Sequence, residues 1–239
     1  MKKSFQYWGL LLALAFMATS SAASRFTVTA QAIVKGDGDR HNHEGNSGVV
    51  VWLEPIDVSA VDESSRKIYR LQQKDRAFEP HILVVPVGAK VRFPNHDMLF
   101  HNVFSMFNGK RFDLGLYEAG ASKTVSFDTP GISYIFCNIH DTMSAVIIAL
   151  RTPYYGISDR QGNVTISGVP AGRYRINVWA EGAADDATAH LSRETTIQQN
   201  TALETLTIPV ASSVNVTHLN KYGLEYDPPA DLSAYSPID

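Results

Sequence analysis

Beyond its first two dozen residues the chain alternates apolar and polar positions over short runs and shows almost no helical periodicity. FTVTAQAIV (26–34) and GVVVWLEP (48–55) are β-rich runs separated by KGDGDRHNHEGNS (35–47), a polar, glycine-rich loop. RKIYRLQQ (66–73), ILVVPVGAKVRFPN (82–95), NVFSMF (102–107), KTVSFDTPGISYIF (123–136) and SAVIIAL (144–150) follow, with Gly, Pro, Asn and Asp at the breaks. NVTISGVPAGRYRINVWA (163–180), RETTIQ (193–198) and LETLTIPV (203–210) repeat the habit. Many short strands with regular turn signals predict an all-β chain built from sandwiches. The tail, 212–239, lacks periodicity and carries three prolines from His218 onward. It is expected to be unstructured or docked.

The N-terminus reads differently. Lys2 and Lys3 precede an almost wholly apolar stretch from Gly9 to Ala18, and small residues at Ser21 and Ala23 suit cleavage after Ala23. This predicts a secretory signal peptide over 1–23, too short for a membrane span. Removing it takes two lysines from a chain of 21 basic and 24 acidic side chains, leaving the remainder more acidic. A mildly acidic chain without a basic block is a poor partner for nucleic acid or an anionic membrane. The expected product is periplasmic, with no membrane insertion.

Export sharpens one oddity. Exported chains use cysteines in pairs, and this one has a single cysteine, Cys137. In YIFCNIHDTM the run YIF ends a strand, NIHDT must turn, and SAVIIAL begins the next strand. Cys137, His140 and Met143 therefore sit at one hairpin end, where a thiolate, an imidazole and a thioether can surround one point. PNHDMLFHNVF supplies a second imidazole, His101, at the start of an earlier strand. One sulfur and two nitrogens with a weak methionine is the donor pattern of a blue-copper electron-transfer site.

These stretches resemble the cupredoxin family, and its amicyanin-like and plastocyanin-like members in particular. The resemblance covers 66–151 through FEPHILVVPVGAKVRFPNHD, HNV, LYEAGASKTVSFDTPG and CNIHDTM, the last with the short Cys-x2-His-x2-Met loop of amicyanins. It implies a Greek-key β-sandwich holding one mononuclear type 1 copper through His101, Cys137, His140 and Met143. It further implies that Asn102 ties the two ligand loops together. Three positions depart from the family pattern: Asp141 replaces a proline, Ser133 a tyrosine and Ala145 a glycine.

A second, smaller β-sandwich is expected around this one. ISDRQGNVTISGVPAGRYRINVWAEG resembles transthyretin-like, carboxypeptidase-regulatory-like domains, whose usual opening strands match 26–57 rather than anything near 153–211. The reading is a discontinuous sandwich, 26–57 with 153–211, into which the copper module is inserted. The alternative makes 26–57 an extension of the copper module's own sheet.

The function implied is a one-electron carrier between transient redox protein partners, not an enzyme. The alternative is a copper protein for delivery, storage or sensing. Met98, Leu99 and Phe100 either form an exposed docking rim beside the site or fill the loop's own core. His81 and His96 read as peripheral, and His41 and His43 as solvated residues of a loop, with a loosely held metal the lesser reading.

Overall fold

The computed structural model describes residues 24–36, 45–57, 67–106, 109–210 and 218–226. The export signal expected over 1–23, and His41 and His43, lie outside the described residues. The described chain is almost entirely β, with one short helix, α1 (Asp185–Ala189). Among the described residues no helix is long and apolar enough to cross a membrane.

Strands from both ends of the chain pair with each other. β1 (Arg25–Lys35) runs antiparallel to β14 (Asn163–Pro170) and parallel to β17 (Thr201–Ala202) and β18 (Leu206–Pro209). A second sheet orders β13 (Tyr155–Ile157), β2 (Val50–Pro55), β15 (Gly172–Trp179) and β16 (Arg193–Ile197). The two sheets enclose a core containing Val28, Leu53, Ile166, Ile176, Ile197 and Ile208. Alternation explains the face each strand offers: in β14, Val164 and Ile166 are buried while Thr165 between them is exposed.

The middle of the chain makes separate sheets. β10 (Ser122–Phe127), β7 (Ala89–Pro94) and β3 (Ile68–Arg70) form one. The other has the order β6 (Ile82–Pro86), β12 (Ser144–Leu150), β11 (Gly131–Phe136), β8 (His101–Ser105) and β9 (Phe112–Tyr117). Between them lies a core that includes Val91, Phe93, Phe127, Ile135, Cys137, Met143 and Ile147. A hairpin of β4 (Gln72–Lys74) and β5 (Ala77–Glu79) closes the same end as the Cys137 loop.

Two strands are apolar on both faces because each lies between two cores. In β2, Val51 and Leu53 face the first core, while Val50 joins Val84, Val146, Ile148, Leu150 and Trp179 in a third. β12 likewise divides Ala145, Ile147 and Ala149 from Val146, Ile148 and Leu150. The unbroken apolar runs VVVW and AVIIAL are thus the mark of strands covered on both sides. The four layers pack through this third core into one body.

Two details depart from the strand pattern in the sequence. The run 66–73 is split at Leu71, which is fully buried and bonds Arg92 through its backbone, so β3 and β4 join different partners. β9 escapes alternation because it is an edge strand with a polar Asp113, a Gly115 at φ +64° and only Tyr117 buried.

Candidate metal centre

Three elements converge at one end of the β7/β12 sandwich. His101 opens β8, Cys137 follows β11 directly, and His140 stands in the turn that leads to β12. That turn is closed by two backbone bonds, Cys137 N–H to the Met143 carbonyl and Met143 N–H to the His140 carbonyl, both 3.2 Å. The Cys137 sulfur lies 3.8 Å from His101 Nδ1 and 3.6 Å from His140 Nδ1, and the imidazole centroids are 4.9 Å apart. A metal ~2.3 Å from a thiolate and ~2.0 Å from an imidazole nitrogen, with about 120° between the bonds, sets sulfur and nitrogen about 3.7 Å apart. The observed spacing suits a three-coordinate plane. His101, Cys137 and Met143 are fully buried, and His140 is half-buried.

The surroundings prepare the donors. Burial pushes the Cys137 thiol up, while the backbone N–H groups of Asn102, Ile139 and His140 act in favour of its thiolate. A cation held there would supply the missing charge. Burial, with the neighbouring His101 and Arg76, lowers the His140 pKa against the opposing Asp97 and Asp141, keeping the ring neutral as a ligand must be.

His101 is fixed from behind. Its Nε2 meets Asp97 Oδ2 at 2.7 Å, leaving Nδ1 to face the sulfur. Asp97 is itself held by the backbone N–H groups of Asp75 at 2.6 Å and Arg76 at 2.9 Å. Both belong to the β4–β5 turn and have positive φ, 54° and 56°, which aims successive N–H groups at one carboxylate. Burial opposes the charge on Asp97, but Arg76, His101 and Asp75 together hold its carboxyl below the usual range. The carboxylate stands four residues before His101, close enough to be noticed in the sequence. Its role is not legible there, because it depends on a turn more than twenty residues earlier.

Asn102, the expected tie between the ligand loops, acts on the Cys137 loop through its backbone. Its side-chain amide donates to Asp113 in β9 at 2.7 Å, its Oδ1 is buried with no partner among the described residues, and its backbone N–H rather than its amide faces the sulfur. A second connection between the ligand loops, made by side chains, is indirect. Asp113 also accepts from Lys221 Nζ at 2.7 Å, and the Lys221 backbone N–H donates to Asn138 Oδ1 at 2.8 Å.

The apolar residues before His101 are exposed: Met98 at 91% and Phe100 at 59%, with Leu99 and Ile139 also open. These residues are therefore open to solvent and do not fill the loop's core. His96 is exposed. His81 is drawn away to Ser144 and Glu181. Among the described residues the one metal-competent cluster of His, Cys, Asp and Glu is His101, Cys137 and His140.

No protein-family model matches the chain, and no curated protein matches it. Among solved structures, similarity is found to a copper-containing nitrite reductase from Thermus scotoductus, 23% identical over 41% of this chain and 25% of that one, with a TM-score of 0.34. A purple cupredoxin from Nitrosopumilus maritimus is 20% identical over 34% of this chain and 99% of its own, at 0.32. Amicyanin from Paracoccus versutus is 17% identical over 42% and 97%, at 0.30.

Proposed function

We propose that the protein is an exported, periplasmic copper protein carrying single electrons, with one type 1 copper held by His101, Cys137 and His140 and weakly by Met143. One observation carries this reading: a buried lone sulfur faces two Nδ1 atoms at 3.6 and 3.8 Å, a spacing that suits one ion. Bound copper would supply the Cu(I)/Cu(II) couple. Thiolate and thioether favour the reduced ion and imidazole serves both states, so this donor set fully satisfies neither. The buried His101, Cys137 and Met143 exclude water, and Asp97 keeps the His101 ring from turning. An electron is then expected to cross at His140, with the exposed Met98, Leu99 and Phe100 that precede His101 and the exposed Ile139 that precedes His140 as an apolar rim for brief docking of a redox partner.

We read β3–β12 as a cupredoxin module set between the strands of a smaller sandwich that serves as its platform, with no chemistry of its own. The reading as a carrier, rather than a protein for copper delivery, rests on the burial of three of the four donors, which slows exchange of the metal. Reconstitution with Cu(II) tests the whole. Intense thiolate-to-copper absorption is expected, and Cys137→Ser should abolish the colour; a coloured serine variant would overturn the assignment. Rapid loss of the metal to a mild chelator would favour delivery.

A further inference from the structure

We propose that residues 218–226 form a strap that positions the Cys137 loop, with Tyr226 as the principal positioning residue; the inference rests on the copper reading and assigns a further part of that site. The Tyr226 hydroxyl donates to the Cys137 carbonyl at 2.6 Å across 89 residues of sequence. The Lys221 backbone N–H holds Asn138 Oδ1, and Lys221 Nζ reaches Asp113, which also receives the Asn102 amide. The strap thereby links the loop bearing Cys137 to the strand bearing His101.

The segment is built for this. Asn220 accepts from the N–H groups of Tyr222 and Leu224 at 2.9 and 3.1 Å, and Gly223, at φ +75°, closes a tight turn back onto the Asn220 carbonyl. The His218 ring lies against Phe136, centroids 4.2 Å apart, and meets Tyr226 edge-on at 5.4 Å. An aromatic anchor and a preformed turn together present the tyrosine hydroxyl to one carbonyl.

The consequence follows from peptide planarity. A hydrogen bond to the Cys137 carbonyl fixes the plane joining Cys137 to Asn138, the first of the loop. The N–H groups of Ile139 and His140, which face the sulfur, follow from it in the chain. Between them lies Asn138, held by Lys221. Orientation of those donors sets how much negative charge the sulfur keeps, and hydrogen bonding around the Cys sulfur is what tunes such a centre. The loop has Asp141 where amicyanins carry a proline, and the strap supplies stiffness from outside that the loop lacks within.

The experiment uses the full chain with Tyr226→Phe, which removes one oxygen, and separately Lys221→Met. In the metal-free proteins, amide hydrogen exchange at Ile139 and His140 should rise roughly 3- to 10-fold in Tyr226→Phe. Amides of β14 and β15 should be unchanged, which shows that the variant folds. In the copper-loaded proteins the thiolate-to-copper absorption should change in position or relative intensity, and the midpoint potential should move. Lys221→Met should give a smaller change of the same kind. Unchanged loop exchange overturns the strap. Faster exchange with an unaltered copper spectrum and potential overturns its positioning role. If the unmodified protein gives no blue copper centre, the ligand reading fails by itself, and the exchange in metal-free protein still decides whether Tyr226 holds the loop.

Discussion

The imidazole of His101 is clamped by Asp97, Nε2 to Oδ2 at 2.7 Å, and the carboxylate is clamped in turn by two consecutive backbone N–H groups. A carboxylate behind a ligating histidine fixes its tautomer and raises its basicity. Asp97→Asn keeps the shape and removes the charge. Copper affinity should fall roughly 10- to 100-fold, and the midpoint potential should rise because the oxidised ion loses a nearby negative charge. Chelator competition and potentiometry measure the two; an unchanged affinity would show that the clamp is dispensable.

Met143 is fully buried and accepts the Cys137 backbone N–H, and it is the proposed weak fourth ligand. Met143→Leu should keep copper binding and the blue colour and shift the potential upward, because the thioether donates to the oxidised ion. Loss of the metal instead would make Met143 a primary ligand.

The exposed rim predicts a kinetic effect without a structural one. Met98 is 91% exposed, so Met98→Glu should change stability by less than about 0.5 kcal/mol. Electron self-exchange between copies of the copper-loaded protein should nevertheless slow, more at low salt than at high, because like charges then meet at the docking surface. Line broadening in mixed Cu(I)/Cu(II) samples measures it. An unchanged self-exchange rate would place electron entry elsewhere.

Metal-free protein should lose stability on acidification in two stages. Burial lowers the pKa of both His140 and His218. Below about pH 6.5 the unfolded chain therefore takes up protons that the folded one refuses, and stability falls as pH drops. Asp97 and Asp113 are also lowered, and their contribution, present above about pH 3.9, is lost as pH falls further through their folded values. Denaturant midpoints against pH measure this, and His140→Gln should flatten the first stage.

The third core couples the sandwiches. Ile148 is 1% exposed and packs among Val50, Val84 and Trp179. Ile148→Ala should cost about 2–5 kcal/mol and lower the unfolding midpoint of β2 and β12 together. Separate transitions for the two sandwiches would show that this core does not bind them.

Sequence by itself determined what is periodic or close in the chain. Alternation fixed an all-β molecule, and the runs VVVW and AVIIAL announced strands with no wet face, though not what would cover them. Cys137, His140 and Met143 lie within one turn, so their proximity is local geometry. His101 could be named because its residue type completes a chemical set. Tertiary structure decided the rest. Whether Met98 and Phe100 are exposed depends on what packs behind them, and the grip of Asp97 on His101 depends on the turn at Asp75 and Arg76. Most of all, 218–226 carries no hydrophobic period, and nothing in it signals that Tyr226 will reach a carbonyl 89 residues away. Periodicity records which face of a strand meets a core; a single hydrogen bond between distant, aperiodic segments leaves no trace in the pattern, because only the packed fold brings donor and acceptor together.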